Sequence, residues 1–218
     1  MTNNPVPLIL LPGLGGDARL FGRQRADFPE MIVPDWIEPE PNETLEHYAE
    51  RFSKVIDPGQ PCFFGGVSFG GVVALEIASH LSCKECFLIG SIRGPVEIPW
   101  RLRIFRSISN LIMIPKWLAP LILTCTGRWL NPHFRGMIHQ INDTDARFLR
   151  WAAGAILKWT PSTGVQNVRV YKIHGDRDWI FPIGRTTADT LITGAGHLAS
   201  LTHSDQVNRV LRERISAE

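Results

Sequence analysis

Between residues 6 and 90, short apolar runs alternate regularly with segments of helical periodicity. Parallel strands need a crossover connection, which is usually a helix, so this alternation is typical of a parallel sheet with helices on both faces. We therefore predict an α/β fold with a mostly parallel, doubly wound sheet. The predicted strands are 6–11, 31–33, 62–67, 86–90, 168–173 and 189–192, and the predicted helices are 17–28, a segment capped by Thr44, 69–81 and 205–215.

Residues 93–164 break this alternation. They form helical pieces separated by Pro99, Pro115, Pro120, Pro132 and Pro161, and a proline ends or kinks a helix because it lacks the amide hydrogen. We predict that residues 93–164 are a helical cap inserted between two strands, with residues 1–92 and 165–218 forming one core. A chain of 218 residues is of the right size for such a single domain.

The composition and the charge argue against several classes of function. The net charge is only +2, which argues against nucleic-acid binding because that function usually shows a concentrated basic face. The first residues have no positively charged segment followed by an apolar run, so we expect no signal peptide and a cytoplasmic location. The most apolar stretch, 107–125, contains Lys116 and two prolines, so we interpret it as buried or interfacial rather than membrane-spanning.

The four cysteines do not suggest a metal site. Without a secretory signal we expect reduced thiols. Cys83 and Cys86 have the spacing of a redox or zinc motif, but they lead into an apolar run that predicts a strand, and no second pair completes a zinc tetrad. We interpret both as strand residues.

A glycine–x–serine–x–glycine pattern, residues 66–70, lies between a predicted strand and a predicted helix. In this context the turn is tight, and the serine side chain emerges above the sheet edge at the N-terminus of the helix, where developing negative charge is stabilised. The alternative is a glycine-rich turn with an incidental serine. We predict that Ser68 is a catalytic nucleophile.

Suitable partners for Ser68 follow two later strands. A serine hydroxyl needs a base to accept its proton, and that base needs an acid to fix its tautomer. His197, on a glycine-flanked loop, is the predicted base, and Asp178 is the predicted acid. Asp176 remains an alternative acid, and we interpret His174 as a packed core histidine.

The first predicted strand ends in a glycine-rich loop, residues 12–16. Glycines allow a backbone to approach a substrate oxygen closely. We predict that the amides of Leu14 and Phe69 form an oxyanion hole.

In these motifs the chain resembles the α/β-hydrolase superfamily. The resemblance implies the α/β-hydrolase fold with a helical cap, and the hydrolysis of an ester or thioester through an acyl-enzyme without a metal or organic cofactor. It also supports Asp178 as the acid and the Leu14 amide as an oxyanion donor, although Pro12 stands where many members have histidine. The matching segments are 10–16, 66–70, 173–178 with Pro182, and 194–197.

Two alternatives use the same residues differently. The pattern Gly13–x–Gly15–x–x–Ala18, with Asp35 further on, also resembles a dinucleotide fingerprint and its ribose-binding acid. It would make the chain an NAD(P)-binding oxidoreductase, but it leaves Ser68 and its partners unexplained. A catalytically silent binding protein on a hydrolase scaffold is the other alternative.

The predicted cap combines apolar and basic character. We predict that its apolar side binds the acyl group of the substrate, and that its basic side attracts an anionic carrier or an anionic membrane surface; a solvated basic face is the alternative. Between 93 and 142, Glu97 is the single acidic residue among seven basic ones, Arg93, Arg101, Arg103, Arg106, Lys116, Arg128 and Arg135. The predicted substrate-binding residues are Trp100, Phe105, Trp117 and Leu121.

Overall fold

The computed structural model describes residues 6–103, 140 and 143–217. Within them, five parallel strands form one sheet in chain order. The strands are β1 Leu8–Leu11, β2 Cys62–Val67, β3 Cys83–Ile89, β4 Val170–Gly175 and β5 Thr190–Ile192. The α-helices, numbered within the described residues, are α1 Gly22–Asp27, α2 Leu45–Ile56, α3 Phe69–Ala78, α4 Trp100–Arg103, α5 Ala146–Lys158, α6 Ala199–Thr202 and α7 Ser204–Ser216.

Helices cover both faces of the sheet, and β1, β2 and β3 each contribute buried side chains to both cores. Successive side chains of a strand point to opposite faces. In β1, accordingly, Ile9 and Leu11 pack with α2, α3 and α5, whereas Leu8 and Leu10 pack with α7 on the other face. This arrangement confirms the predicted doubly wound α/β architecture.

Most predicted elements form with small changes in their ends. Thr44 caps α2 as predicted, since its hydroxyl accepts a hydrogen bond from the His47 amide at 3.2 Å. The predicted strand 31–33 is the exception, because only an isolated bridge between Ile9 and Ile32 forms. A further parallel hydrogen bond would require an amide hydrogen at residue 34, and Pro34 has none.

The cysteines of the predicted strand lie in β3. Cys86 is buried, Cys83 is half-buried, and Cys83 is paired in register with Cys62 of β2. Burial raises the pKa of the Cys62 thiol to about 11 and that of Cys83 to about 12. Such thiols are inert at neutral pH, as expected for strand residues.

The departure from strand–helix alternation lies between β3 and β4. Its described part contains α4, α5 and two short 3-10 segments, Pro95–Glu97 and Thr163–Asn167. The cap boundaries at residues 93 and 164 stay a prediction. Within the described residues, no helix is both long and apolar enough to cross a bilayer.

A buried ion pair joins the beginning of this segment to the sheet. The Lys172 ammonium of β4 contacts the Glu97 carboxylate and the Thr186 hydroxyl, and Lys172 is only 3% exposed. Burial lowers the pKa of Lys172, although its hydrogen bond to Glu97 opposes this effect. Breaking a buried pair leaves an uncompensated charge, so this contact holds Glu97 against β4.

Candidate active site

Ser68 occupies the turn between β2 and α3 and has strained backbone geometry. Its φ of 53° and ψ of −120° place a non-glycine residue in a region that L-residues seldom occupy. Two contacts hold the turn: the Ser68 amide donates to Ile89 at 3.0 Å, and the Ser91 hydroxyl donates to the Ser68 carbonyl at 2.6 Å. Ser91 was not among the predicted site residues, because a hydroxyl that supports a backbone turn has no recognisable sequence pattern.

Gly70 allows α3 to begin directly over the end of β1. A Cβ at this position would lie 2.1 Å from the Pro12 carbonyl oxygen and 2.5 Å from that of Leu11. Both distances are far below van der Waals contact, so the backbones can approach this closely only because Gly70 has no side chain. The glycine loop and Ser68 thereby come to the same edge of the sheet.

His197 lies between Ser68 and Asp178. Its Nε2 is 2.8 Å from Ser68 Oγ, and its Nδ1 is 2.8 Å from Asp178 Oδ2. The loop that carries His197 crosses Gly175 closely, since a Cβ there would lie 2.3 Å from the Ala195 carbonyl oxygen. The structure therefore brings the predicted nucleophile, base and acid into one hydrogen-bonded row.

Asp178 is 4% exposed, and its two carboxylate oxygens lie within 3.2 Å of four donor groups. The amides of Ile180 and Phe181 donate to Oδ1 at 2.8 and 3.0 Å, and His197 and His174 contact Oδ2 at 2.8 and 3.2 Å. Burial by itself would raise the pKa of Asp178, but the hydrogen bonds from the two histidines and from Phe181, with the charge of His197, outweigh it and lower the pKa. The carboxylate is therefore held in its charged form.

Asp176, the alternative acid, lies elsewhere. It is exposed, and its Oδ1 accepts a hydrogen bond from the Gly194 amide at 2.7 Å. It therefore stabilises the loop before His197 rather than contacting the imidazole. His174 is fully buried, as predicted, but its contact with Asp178 was not foreseen.

The glycine-rich loop lies against Ser68. A Cβ on Gly13 would lie 3.7 Å from the Ser68 Cβ, so the loop that contains Leu14 is next to the serine. The assignment of the Leu14 and Phe69 amides to an oxyanion hole stays a prediction. Phe69 is the first residue of α3, where amides have no partner within the helix.

The same loop does not favour the dinucleotide interpretation. It leads into a four-residue 3-10 helix, Ala18–Phe21, rather than into a long helix. The Asp17 side chain caps that helix by accepting a hydrogen bond from the Arg19 amide at 2.8 Å. A carboxylate therefore occupies the position where a dinucleotide phosphate would bind.

Of the predicted substrate-binding residues the structure describes only Trp100, and the assignment of all four stays a prediction. Trp100 is 67% exposed, and Phe105, Trp117 and Leu121 lie outside the described residues. The aromatic rings around Phe69 were not predicted, because they come from two separate segments, the loop at residue 36 and α5, that share no sequence pattern. These rings are Trp36, Phe148 and Trp151, with centroids 5.7 to 6.4 Å from that of Phe69.

A cavity of about 1000 Å³ lies between the segment 36–46 and α5. Trp36, Phe148 and Trp151 line it, but Ser68, Asp178 and His197 do not. The shape of this cavity is therefore not sufficient to identify it as an active site. The hydrogen-bonded row of Ser68, His197 and Asp178 remains the candidate reaction centre.

Two of the basic residues of the predicted cap are engaged within the chain. The Arg101 guanidinium donates to the Trp179 carbonyl oxygen, and Arg103 donates to the carbonyls of Pro95, Val96 and Ile98. These contacts orient the two side chains toward the protein. The binding of an anionic carrier or membrane surface by the cap stays a prediction.

One group of potential metal ligands occurs among the described residues. Single ligand atoms of Glu40, Glu43 and His47 lie within 4.8 Å of one another. Glu43, however, already accepts hydrogen bonds from Arg51 and contacts His47. These contacts make the group an ion-pair cluster.

Comparison with known proteins agrees with this fold. The alpha/beta hydrolase family matches residues 8–210, and the chain belongs to this family. No curated protein matches the sequence. The recognised motifs therefore identified the superfamily correctly.

Solved structures show the same architecture at low sequence identity. An esterase from Thermogutta terrifontis is 18% identical with a TM-score of 0.79, covering 98% of this chain and 90% of its own. An enol-lactonase from Burkholderia xenovorans LB400 is 16% identical with a TM-score of 0.74, covering 99% and 92%. An esterase from Exiguobacterium antarcticum is 14% identical with a TM-score of 0.74, covering 98% and 92%. At these identities the likeness shows a common fold.

Proposed function

We propose that the protein is a serine hydrolase that cleaves a carboxylic ester or thioester through an acyl-enzyme on Ser68. The observation that carries the proposal is the row of contacts from Ser68 Oγ through His197 to Asp178, with 2.8 Å at each step. Nucleophile, base and orienting acid within hydrogen-bond reach are what this chemistry requires.

In the first half of the reaction, Ser68 Oγ attacks the carbonyl carbon of the substrate while His197 Nε2 takes its proton. The resulting oxyanion accepts hydrogen bonds from the Leu14 and Phe69 amides, and the protonated imidazole is stabilised by Asp178. When the tetrahedral intermediate collapses, the bond to the leaving alcohol or thiol breaks, and His197 returns the proton to that group.

In the second half, His197 removes a proton from water as the water oxygen attacks the acyl carbon. Collapse of this second intermediate breaks the bond to Ser68 Oγ, which regains a proton from His197. The carboxylic acid product leaves and the free enzyme is restored. As the sequence predicts, we propose that no metal or organic cofactor takes part. We also propose a cytoplasmic location.

The proposal is tested by labelling with a fluorophosphonate probe. Ser68→Ala should abolish the labelling that the wild type shows, because the probe reacts with an activated serine. Ser79→Ala is the matched control: Ser79 caps the other end of α3 and its hydroxyl donates to the Glu76 carbonyl, so labelling should persist.

Equal labelling of wild type and Ser68→Ala contradicts the assigned nucleophile. Absence of labelling in both, with both folded, contradicts an activated serine at this site. A titration with NADH then tests the oxidoreductase alternative, in which binding would depend on the glycine loop.

A further inference from the structure

His174 is a buried histidine that the proposed reaction does not use. It lies in β4, one residue before the strand ends, and its exposure is 0%. Its Nε2 is 2.8 Å from the Phe181 carbonyl oxygen and 3.2 Å from Asp178 Oδ2. A buried histidine in contact with the proposed acid calls for an explanation beyond core packing.

The two neighbours of Nε2 define its protonation. The Phe181 carbonyl and the charged Asp178 carboxylate are both acceptors, so Nε2 must carry a hydrogen. It donates this hydrogen to the Phe181 carbonyl at 2.8 Å, and Asp178 Oδ2 lies 3.2 Å from the same nitrogen. The other nitrogen, Nδ1, is buried and has no hydrogen-bond partner among the described residues. His174 therefore directs a single N–H at the loop that carries Asp178.

That loop also supports the proposed base. Phe181 donates its amide to Asp178 Oδ1 at 3.0 Å, and its ring packs edge-on against the His197 ring with centroids 5.5 Å apart. By holding Phe181 and Asp178 together, one N–H of His174 constrains both the carboxylate and a ring that packs against the base.

We propose that His174 is a positioning residue: its Nε2–H fixes the Asp178 carboxylate and limits the negative charge that Oδ2 presents to His197. This inference rests on the proposed function, because it assigns a task to His174 through Asp178 and His197. His174 itself does not contact Ser68 Oγ in the row described above.

The charge effect has a definite sign. When an acceptor oxygen loses one of two donors, its negative charge is less compensated, and it attracts the remaining donor more strongly. Without the His174 N–H, Asp178 would stabilise protonated His197 more strongly, and a higher pH would be needed to free Nε2 as a base.

Two charged side chains near this loop have partners other than Asp178. Asp176 accepts from the Gly194 amide, and Arg101 donates to the Trp179 carbonyl. Among the described residues, the groups in contact with the Asp178 carboxylate are His174 from β4, His197 from the loop after β5, and the amides of Ile180 and Phe181.

Two variants separate the N–H from the bulk of the ring. His174→Phe keeps a planar ring but removes the donor, whereas His174→Gln places an amide N–H at a similar reach. His80→Gln, at an exposed position, is the control for loss of a histidine. The measurement is the pH dependence of kcat/KM on an ester that the wild type hydrolyses, with folding checked by circular dichroism.

In His174→Phe the acidic limb of the profile should move up by about one pH unit, and the plateau should fall about tenfold, the effect of one hydrogen bond to a charged group. His174→Gln should recover most of both changes, and His80→Gln should match the wild type. A folded His174→Phe with the wild-type profile overturns the proposal. So does a folded His174→Gln that behaves like His174→Phe, because ring packing rather than the N–H would then be responsible.

A measurement on the wild type needs neither a variant nor a substrate. Two-dimensional ¹H–¹⁵N NMR of the histidine rings, recorded at neutral pH, should show His174 with its hydrogen on Nε2. A His174 ring whose Nε2 carries no hydrogen cannot donate to Asp178 and overturns the proposal. If no ester is hydrolysed and Ser68 is not labelled, the hydrolase proposal fails, and this NMR result still decides whether His174 donates.

Discussion

Asp176 and Asp178 are only two positions apart, but their carboxylates have different partners. Both follow β4 in the same loop. Asp178 turns inward and lies within 3.2 Å of four donor groups, one of which is His197, whereas Asp176 faces solvent and accepts one hydrogen bond from Gly194. The direction of a side chain from the loop therefore decides which of the two can orient a base.

Asp178→Asn should lower kcat by about 10³- to 10⁴-fold, because a neutral amide neither fixes the required tautomer nor stabilises the imidazolium. Asp176→Asn is the matched control. Its Oδ1 can still accept from the Gly194 amide, and kcat should stay within about twofold of the wild type, since surface substitutions have small effects. Steady-state kinetics on one ester substrate compares the two, and a larger loss in Asp176→Asn would reverse the assignment.

At the scale of elements, the site depends on the contact between β1 and α3. The strained Ser68 turn is held by Ile89 and Ser91 from one side, and the close approach at Gly70 brings the first turn of α3 against the backbone at the end of β1. Backbone strain persists only where surrounding structure stabilises it. The packing of these two elements is therefore a condition for the geometry of the serine.

Gly70→Ala should destabilise the protein by about 3 kcal/mol or more, because the new Cβ meets backbone atoms that cannot move independently. Gly22→Ala is the control in a helical position: its φ is −55°, and a Cβ there meets nothing within 4 Å. It should be neutral or stabilising by up to about 1 kcal/mol, because alanine loses less backbone entropy than glycine. Urea unfolding midpoints measure both, and equal midpoints would contradict the close approach at Gly70.

For the molecule as a whole, ionisation of the site is linked to folding. The pKa of Asp178 lies below its ordinary value in the folded state. A carboxyl whose folded pKa is depressed stabilises the fold above its unfolded pKa of about 3.9, and this stabilisation is lost as the pH falls toward the folded pKa. The pKa values of Asp17 and Glu43 are lowered as well. The hydrogen bond from Arg19 is the main cause for Asp17, whereas burial of Glu43 would raise its pKa and is outweighed by Arg51, His47 and the Glu40 amide.

The free energy of unfolding should therefore fall as the pH drops below about 4, and it should fall less steeply in Asp178→Asn, which has no proton to bind at that position. Urea unfolding at pH 7, 5, 4 and 3 gives the comparison. Parallel pH dependence in the two proteins would show that the pKa of Asp178 is the same in the folded and unfolded states.

Most of the secondary structure and the candidate site residues could be predicted from local sequence. Apolar periodicity and glycine-rich turns predicted the strands, the helices and the positions of Ser68, Asp178 and His197, because these signals depend on neighbours within a few residues. The predicted strand 31–33 is an exception: it ends at Pro34, which lacks an amide hydrogen, and only a single bridge forms.

Only the tertiary structure decided which of these residues meet. Ser68 and His197 are 129 positions apart, and their contact depends on the order and register of strands that no local pattern specifies. The tertiary structure also decided four other features. They are the contact of His197 with Asp178 rather than Asp176, the approach of Ser91 to the serine turn, the rings around Phe69, and the contact of His174 with Asp178. Each joins side chains from separate segments, and only the packing of those segments determines the distance between them.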